Sequence, residues 1–313
     1  MALTIRTRRK IFYTLVLLFI VLGGGVVLYA QGWRLDFTTW HFEKIGGIYV
    51  RAYPQNAAIY LDGKPIQNQS GFLSPGTLIS DLLPAAYSVV LKAAGYDEWQ
   101  ENATVQPSLV IQYKYAVLVP ENGVPAASST VRQLLAASPS ATSTMATASA
   151  ILADASTAAS TTFSGKNVEA QWITSSLAGI LQNNGEFYLY DANAQSVSKL
   201  ADDGKYFAAT DDGSMLAVLE ADSLEVFSLA DSSMYYRFNL PNIADAARII
   251  WYKDRTHLFI VYPDHVSFLD LADSGLTNFT TVGQGTSPLY DPQSNALFVT
   301  TPEKTIVEYD FPN

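Results

Sequence analysis

Leu216-Ala217-Val218-Leu219, followed by Leu224-Glu225-Val226-Phe227-Ser228-Leu229-Ala230-Asp231-Ser232, returns 42 positions later. The second copy reads Leu258-Phe259-Ile260-Val261 and then Val266-Ser267-Phe268-Leu269-Asp270-Leu271-Ala272-Asp273-Ser274, and no gap is needed to align the two. Phe187-Tyr188-Leu189-Tyr190-Asp191 joins the same frame after a small deletion, and Ile306-Val307-Glu308-Tyr309-Asp310 joins it after a one-residue insertion. The matching positions Asp191, Ser228, Asp270 and Asp310 stand 37, 42 and 40 residues apart. Each unit holds two hairpin-linked apolar runs, so residues 166–313 read as a repeated β domain with a period near 40. Asp211-Asp212-Gly213-Ser214 and Asp291-Pro292-Gln293-Ser294 supply turns ahead of the inner strands.

That period resembles the blades of WD-repeat-like and TolB-like propellers, although the diagnostic Trp-Asp and Ser-Pro-Asp-Gly forms are mostly absent. Four units would make a small ring. A compact four-bladed ring, an incomplete ring closed by a second copy and a twisted β assembly of blade-like repeats all stay open. A short helix is expected at Ile243-Ala244-Asp245-Ala246-Ala247-Arg248.

Upstream, Ile48-Tyr49-Val50-Arg51-Ala52-Tyr53 alternates apolar and amphipathic side chains, the period of a strand with one buried face. Pro54-Gln55-Asn56-Ala57 ends it, with Asn56 suited to a positive φ. Ala58-Ile59-Tyr60-Leu61 then runs into the hairpin dipeptide Asp62-Gly63, and Ser88-Val89-Val90-Leu91 precedes Gly95-Tyr96 and Glu98-Trp99. In this order the elements resemble a PEGA domain over residues 46–120, with Pro54 to Ala57 in place of the Pro-Glu-Gly-Ala signature. The resemblance implies a small, non-catalytic β-sandwich of prokaryotic cell-surface and envelope proteins, in which the Tyr96 ring helps close the core. Pro84-Ala85-Ala86 departs from the family's usual Pro-Gly.

Arg6, Arg8, Arg9 and Lys10 stand before Ile11 to Ala30, twenty uncharged and mostly apolar residues. That run is long enough to cross a bilayer. A retained signal anchor is the expectation, because the apolar run exceeds that of a cleaved signal peptide and Leu28 and Ala30 make a poor cleavage pattern. Gly23-Gly24-Gly25 lacks the spacing of a helix-dimer motif. The positive-inside rule places residues 1–10 in the cytoplasm and everything after Ala30 outside it. Beyond the span, 15 basic residues face 29 acidic ones, a net charge of 15 − 29 = −14, which argues against nucleic acid as a partner. In residues 31–45, Trp33, Phe37, Trp40 and Phe42 lie among Arg34, Asp36 and Lys44, a composition that suits either the headgroup layer or a short connector.

Residues 121–165 turn to Ala, Ser and Thr and read as a flexible linker, with a transient helix at Thr130 to Ala137. The chain has no cysteine, so disulfides, thiolate metal sites and a lipid-modified Cys are excluded. The acceptor triplets at Asn68, Asn102 and Asn278 read as chance.

Chemistry-bearing residues are sparse. His41, His257 and His265 are scattered, and satisfied strand-end histidines explain them better than a metal site. Asp202-Asp203-Gly204 and Asp211-Asp212-Gly213 read as turns before they read as calcium or glycosidase carboxylates. No Gly-X-Ser-X-Gly, phosphate-loop or His-Glu-X-X-His pattern occurs. Catalytic, cofactor and metal residues are therefore expected to be none. With 18 Tyr, 15 Phe and 5 Trp, an exposed aromatic cluster would suit carbohydrate stacking. The expectation is an all-β ectodomain behind one transmembrane helix: a non-enzymatic surface or envelope protein that binds a protein or glycan and is able to self-associate. The alternatives are an exported polysaccharide hydrolase and a structural spacer.

Overall fold

The computed structural model describes residues 5–36, 40–71, 74–127, 141–159, 163, 168–272 and 275–313. It divides into two compact units, residues 1–93 with 98–117 and residues 94–97 with 118–313. In the first unit, α1 (Ile5–Ala30) is one helix whose stretch Arg6–Ala30 is long and apolar enough to cross a membrane, and none of it is buried. A hairpin follows, β1 (Trp33–Asp36) with β2 (His41–Lys44).

Among the described residues, the body of this unit has two sheets. One orders β6 (Thr77–Leu82), β3 (Gly46–Tyr53) and β9 (Val110–Val117), with β3 and β9 parallel. The other orders β5 (Lys64–Ile66), β4 (Ala58–Leu61), β7 (Ala86–Lys92) and β8 (Trp99–Thr104). Alternation fills the interior: Ile48, Val50 and Ala52 from β3, Ile59 from β4, and Val89 and Leu91 from β7 are all buried. Asp62 and Gly63 have positive φ of 48° and 74°, the primed turn that the dipeptide predicts. Asn56 is not among the positive-φ residues; its turn closes instead through Ala57 N–H donating to Pro54 O at 3.1 Å. Tyr96 is only half-buried, and the large core aromatic is Trp99, set edge-on to Tyr113 at 5.3 Å.

Among the described residues, the second unit holds four sheets of four antiparallel strands. The first runs β11 (Glu169–Trp172), β12 (Leu177–Leu181), β13 (Phe187–Asp191) and β14 (Ser196–Ala201). The second runs β15 (Gly204–Ala209), β16 (Met215–Glu220), β17 (Leu224–Ser228) and β18 (Met234–Phe238), and the third β19 (Arg248–Trp251), β20 (His257–Val261), β21 (His265–Asp270) and β22 (Thr280–Gln284). The fourth has β23 (Thr286–Asp291), β24 (Ala296–Thr300) and β25 (Ile306–Asp310), and β10 (Val124–Pro125) adds the outer strand.

The repeat positions fall at one place in the sheets. Asp191, Ser228, Asp270 and Asp310 each end a third strand and pair with Leu177, Met215, His257 and Ala296, the first residue of the second strand. Asp191 and Asp270 then accept the backbone N–H two residues on, each at 2.8 Å, which turns the chain toward its fourth strand.

Continuous apolar runs occur because these sheets are covered on both faces. Leu216 and Val218 pack with Phe187 and Leu189 of the first sheet, whereas Ala217 and Leu219 pack with Leu258 and Ile260 of the third. Phe259 and Phe268 meet Tyr290 and Phe311 of the fourth. Between Leu240 and Trp251 the expected helix is a single 3-10 turn, Ile243–Asp245.

Two features depart from a flexible linker over 121–165. One is β10, which lies before the Ala/Ser/Thr tract yet pairs with β25 near the C-terminus. The other is a helix, α2 (Ala141–Ala159), which covers the outer face of the first sheet. Its contacting residues Ala148, Ile151, Leu152, Ala155, Ala158 and Ala159 recur at helical spacing, and Ile151 and Ala155 are fully buried. Small residues hid this stripe from a reading by composition. The expected helix at Thr130 to Ala137 lies outside the described residues, as does Phe37.

Candidate functional site

The inner strands β15, β19 and β23 end in the loops that carry Thr210-Asp211, Tyr252-Lys253 and Pro292, and these enclose a cavity of about 340 Å³. Tyr206, Trp251 and Tyr290 line it. A second hollow of about 280 Å³ shares Tyr206, Thr210 and Asp211 and continues to Trp172 at the end of β11. The two form a groove along four inner-strand ends.

The polar tips of Trp251, Tyr252 and Tyr290 are hydrogen-bonded within the fold. Trp251 Nε1 donates to Ala208 O at 2.9 Å, joining the second and third sheets. Tyr290 donates through its hydroxyl to Asn295 Oδ1 at 2.8 Å, and Asn295 Nδ2 in turn donates to Tyr252 Oη at 2.9 Å. Asn295 is fully buried and also holds the chain terminus through Phe311 O and Pro312 O, so the rings rest on a fixed network. Burial pushes the Tyr206 and Tyr290 phenols up, keeping both neutral at physiological pH.

Charge in the groove is sparse and specific. Asp211 is exposed and makes no hydrogen bond or ion pair among the described residues. Its neighbour Asp212 is engaged: it accepts from Ser214 Oγ at 2.7 Å and Thr210 Oγ1 at 2.8 Å and pairs with Arg255 at 2.8 Å, which hold its pKa at about 2. Gly213 follows at φ 66°, where a Cβ would lie 2.3 Å from Thr174 Cγ2. Lys253 donates to Asn313 Oδ1 at 2.6 Å, and partial burial lowers its pKa. An aromatic floor with the uncommitted Asp211 carboxylate, the Lys253 amine and the Arg255 guanidinium is suited to holding a polyhydroxylated or amphipathic group.

Of the other residues marked in the sequence, Asp202 and His265 do not line this groove, and His257 does not line it but packs edge-on against Tyr252, which does. His41 begins β2 opposite Asp36. His257 and His265 begin adjacent antiparallel strands, so they sit at opposite ends of one hairpin and do not converge. His265 is stacked on Tyr262 at 4.4 Å, with Nδ1 2.6 Å from Asp264. Asp202 pairs with Lys199 at 2.5 Å, whose amine also holds Glu186.

Among the described residues there are two buried ionic clusters; the sequence reads His257 as a satisfied strand-end histidine without naming its partners, and Glu220 and Glu225 have no reading there. His257 is enclosed, with Nδ1 2.7 Å from Asp254 Oδ2 and Nε2 3.5 Å from Asp270 Oδ2, while Phe268 stacks on its ring at 4.8 Å. The Nε2 contact is an ion-pair distance longer than a good hydrogen bond. Glu220 and Glu225 are buried together in the β16–β17 hairpin. Ser223 donates to Glu220 at 2.8 Å, and Arg237 lies 3.2 Å from Glu225. Burial raises both carboxyls, and for Glu225 the charge of Glu220 raises it further. Among the described residues, no three His, Asp or Glu side chains are grouped to hold a metal ion.

No family of known proteins matches the sequence. No curated protein matches it either. Among solved structures, the chain is similar to Kuenenia stuttgartiensis hydrazine synthase, with 17% identity over 44% of this chain and 43% of that one and a TM-score of 0.33. It spans less than half the length of that structure, and a likeness of this size carries no inference.

Proposed function

We propose that the chain is a single-pass, membrane-anchored surface protein with an extracytoplasmic C-terminus, a PEGA-like first unit and a blade-repeat second unit that binds a glycan in the inner-strand groove. The observation that carries this reading is the combination of the Trp251 and Tyr290 rings, each fixed by its own polar tip, with the uncommitted carboxylate of Asp211. Sugars offer apolar C–H faces to aromatic rings and vicinal hydroxyls to a carboxylate, and a floor that needs no reordering loses little entropy on binding. Among the described residues, Asp211 is the one carboxylate lining the 340 Å³ cavity, which favours holding a glycan over cleaving it, since glycoside hydrolysis uses a pair. Arg6, Arg8, Arg9 and Lys10 before the span, against only Arg34 and Lys44 in residues 31–45 after it, support the orientation.

The test is calorimetric titration of the full chain in nanodiscs with a panel of neutral, amino and acidic cell-wall oligosaccharides, alongside Asp211→Ala. Saturable binding that Asp211→Ala removes supports the proposal. A chain that binds none of the panel, or a variant that binds as the parent does, overturns it.

A further inference from the structure

The β1–β2 hairpin is amphipathic. Its register places Trp33 opposite Lys44 and Leu35 opposite Phe42, so these four share one face, while Arg34 opposite Glu43 belongs to the other. The Lys44 ammonium lies over the Trp33 ring at 5.5 Å, which keeps that face apolar with the charge at its margin.

The hairpin is fastened to the end of α1. Gly32 N–H donates to Tyr29 O at 3.1 Å, and Ile45 N–H donates to Gly32 O at 2.9 Å. Arg34 lies 3.6 Å from the centre of the Tyr29 ring, donates to Tyr29 O at 2.9 Å and pairs with Asp81 at 2.6 Å. The polar face is thus turned toward the helix end and β6. The apolar face is left open: Phe42 is 60% exposed, Trp33 and Leu35 are half-buried, and Trp40 at the tip is 74% exposed.

An open apolar face three residues beyond a bilayer-length helix has an occupant at hand. We propose that this hairpin lies on the lipid surface beside α1, with Phe42, Trp33 and Leu35 at the boundary of headgroups and acyl chains and Trp40 among the headgroups. The span of α1 ends at Ala30, and a strand of four residues reaches only about 13 Å, so the face cannot leave the neighbourhood of the bilayer. Aromatic side chains with basic residues at the margin are the composition that this layer favours. The hairpin would then fix the tilt of the ectodomain instead of leaving it on a free swivel.

This proposal rests on α1 being a membrane span, and the experiment separates the two. Because the chain lacks cysteine, single-cysteine variants label cleanly. Phe42→Cys, His41→Cys, Ile20→Cys and Asn193→Cys would each carry an environment-sensitive fluorophore in the full chain. Each is reconstituted in phosphatidylcholine vesicles with lipids that bear a quencher near the headgroup or deep in the acyl chain. The expected result is shallow quenching at 42 several-fold above that at 193, less at 41, and deep quenching at 20. Deep quenching at 20 with 42 no different from 193 overturns the hairpin proposal and leaves the anchor standing. No deep quenching at 20 overturns both. A blue-shifted probe at 42 that no lipid quenches means that a second copy covers the face, which also overturns it. Phe42→Ser, measured by vesicle flotation and circular dichroism, checks that the labelled variants are folded.

Discussion

His257 Nδ1 lies 2.7 Å from Asp254 Oδ2, three residues earlier in the chain, and this contact closes the turn between β19 and β20 around a buried charge. Asp254 also accepts the Thr256 N–H at 2.8 Å, and Asp212, 42 residues earlier, accepts the Ser214 N–H at 3.1 Å. The turn is therefore a repeated device, and only the third sheet adds an imidazole to it. Burial opposes the charge on His257, but Asp254 and Asp270 outweigh it and raise the pKa to about 10.

Stability should fall as pH rises from about 6.5, the unfolded histidine value, to about 10. In that window the folded chain holds a proton that the unfolded chain has lost, so raising the pH favours unfolding. The contribution is fully present below about pH 6.5. Urea unfolding of the full chain at several pH values checks this, and His257→Asn should flatten the slope across that window.

Asp254→Ala leaves the imidazolium with only the longer Asp270 contact, and breaking a buried pair on one side typically costs about 3 to 5 kcal/mol. The expected outcome is a lower urea midpoint at pH 6 with an unchanged slope, whereas Asp254→Asn, which keeps an acceptor, should lose less.

Glu220 and Glu225 titrate in the opposite sense to an ordinary salt-bridged carboxylate. Burial raises both, so the folded chain holds protons that the unfolded one has lost just above the usual carboxylate pKa. Stability from this pair is greatest when both are protonated and falls as pH rises through the raised values. Glu220→Gln keeps an acceptor for Ser223 and removes the repulsion. It should leave the chain at least as stable at pH 7, as read by thermal unfolding, and more stable relative to the parent there than at pH 4.

Sheet content was legible in the sequence because two-sided burial writes continuous apolar runs, as in Leu216 to Leu219, and the Asp turns mark their ends. The His257–Asp270 pair was legible in principle. Once Val261 and Val266 are paired across the Pro263-Asp264 turn, His257 falls opposite Asp270. The groove was not legible, since Asp211, Trp251 and Tyr290 are 40 and 39 residues apart and meet only when the sheets stack. The α2 stripe was hidden because alanine buries a face without raising local hydropathy much.

Ile151 is fully buried against Ala178, Ile180 and Tyr190, so the helix is part of the core. Ile151→Ala should cost about 2 to 4 kcal/mol. Ile151→Asp should detach α2 and uncover that face. The measurable result is increased binding of a hydrophobic dye and faster proteolysis between 141 and 159, with the unfolding of the first unit unchanged.

The groove predictions separate floor from ligand contact. Trp251→Phe keeps a ring at the site but removes the donor to Ala208 O, a part-buried hydrogen bond worth about 1 kcal/mol, so thermal stability should drop modestly. Asp211→Asn touches no internal contact and should leave unfolding unchanged. Glycan binding should respond in reverse order. Asp211→Asn removes the charged acceptor and should weaken affinity at least tenfold, about 1.4 kcal/mol, while Trp251→Phe retains most of the stacking surface and weakens it less. Calorimetry and thermal unfolding on the same two variants provide both readouts. If Asp211→Asn alters stability but not affinity, the carboxylate belongs to the fold and the groove is not where the glycan sits.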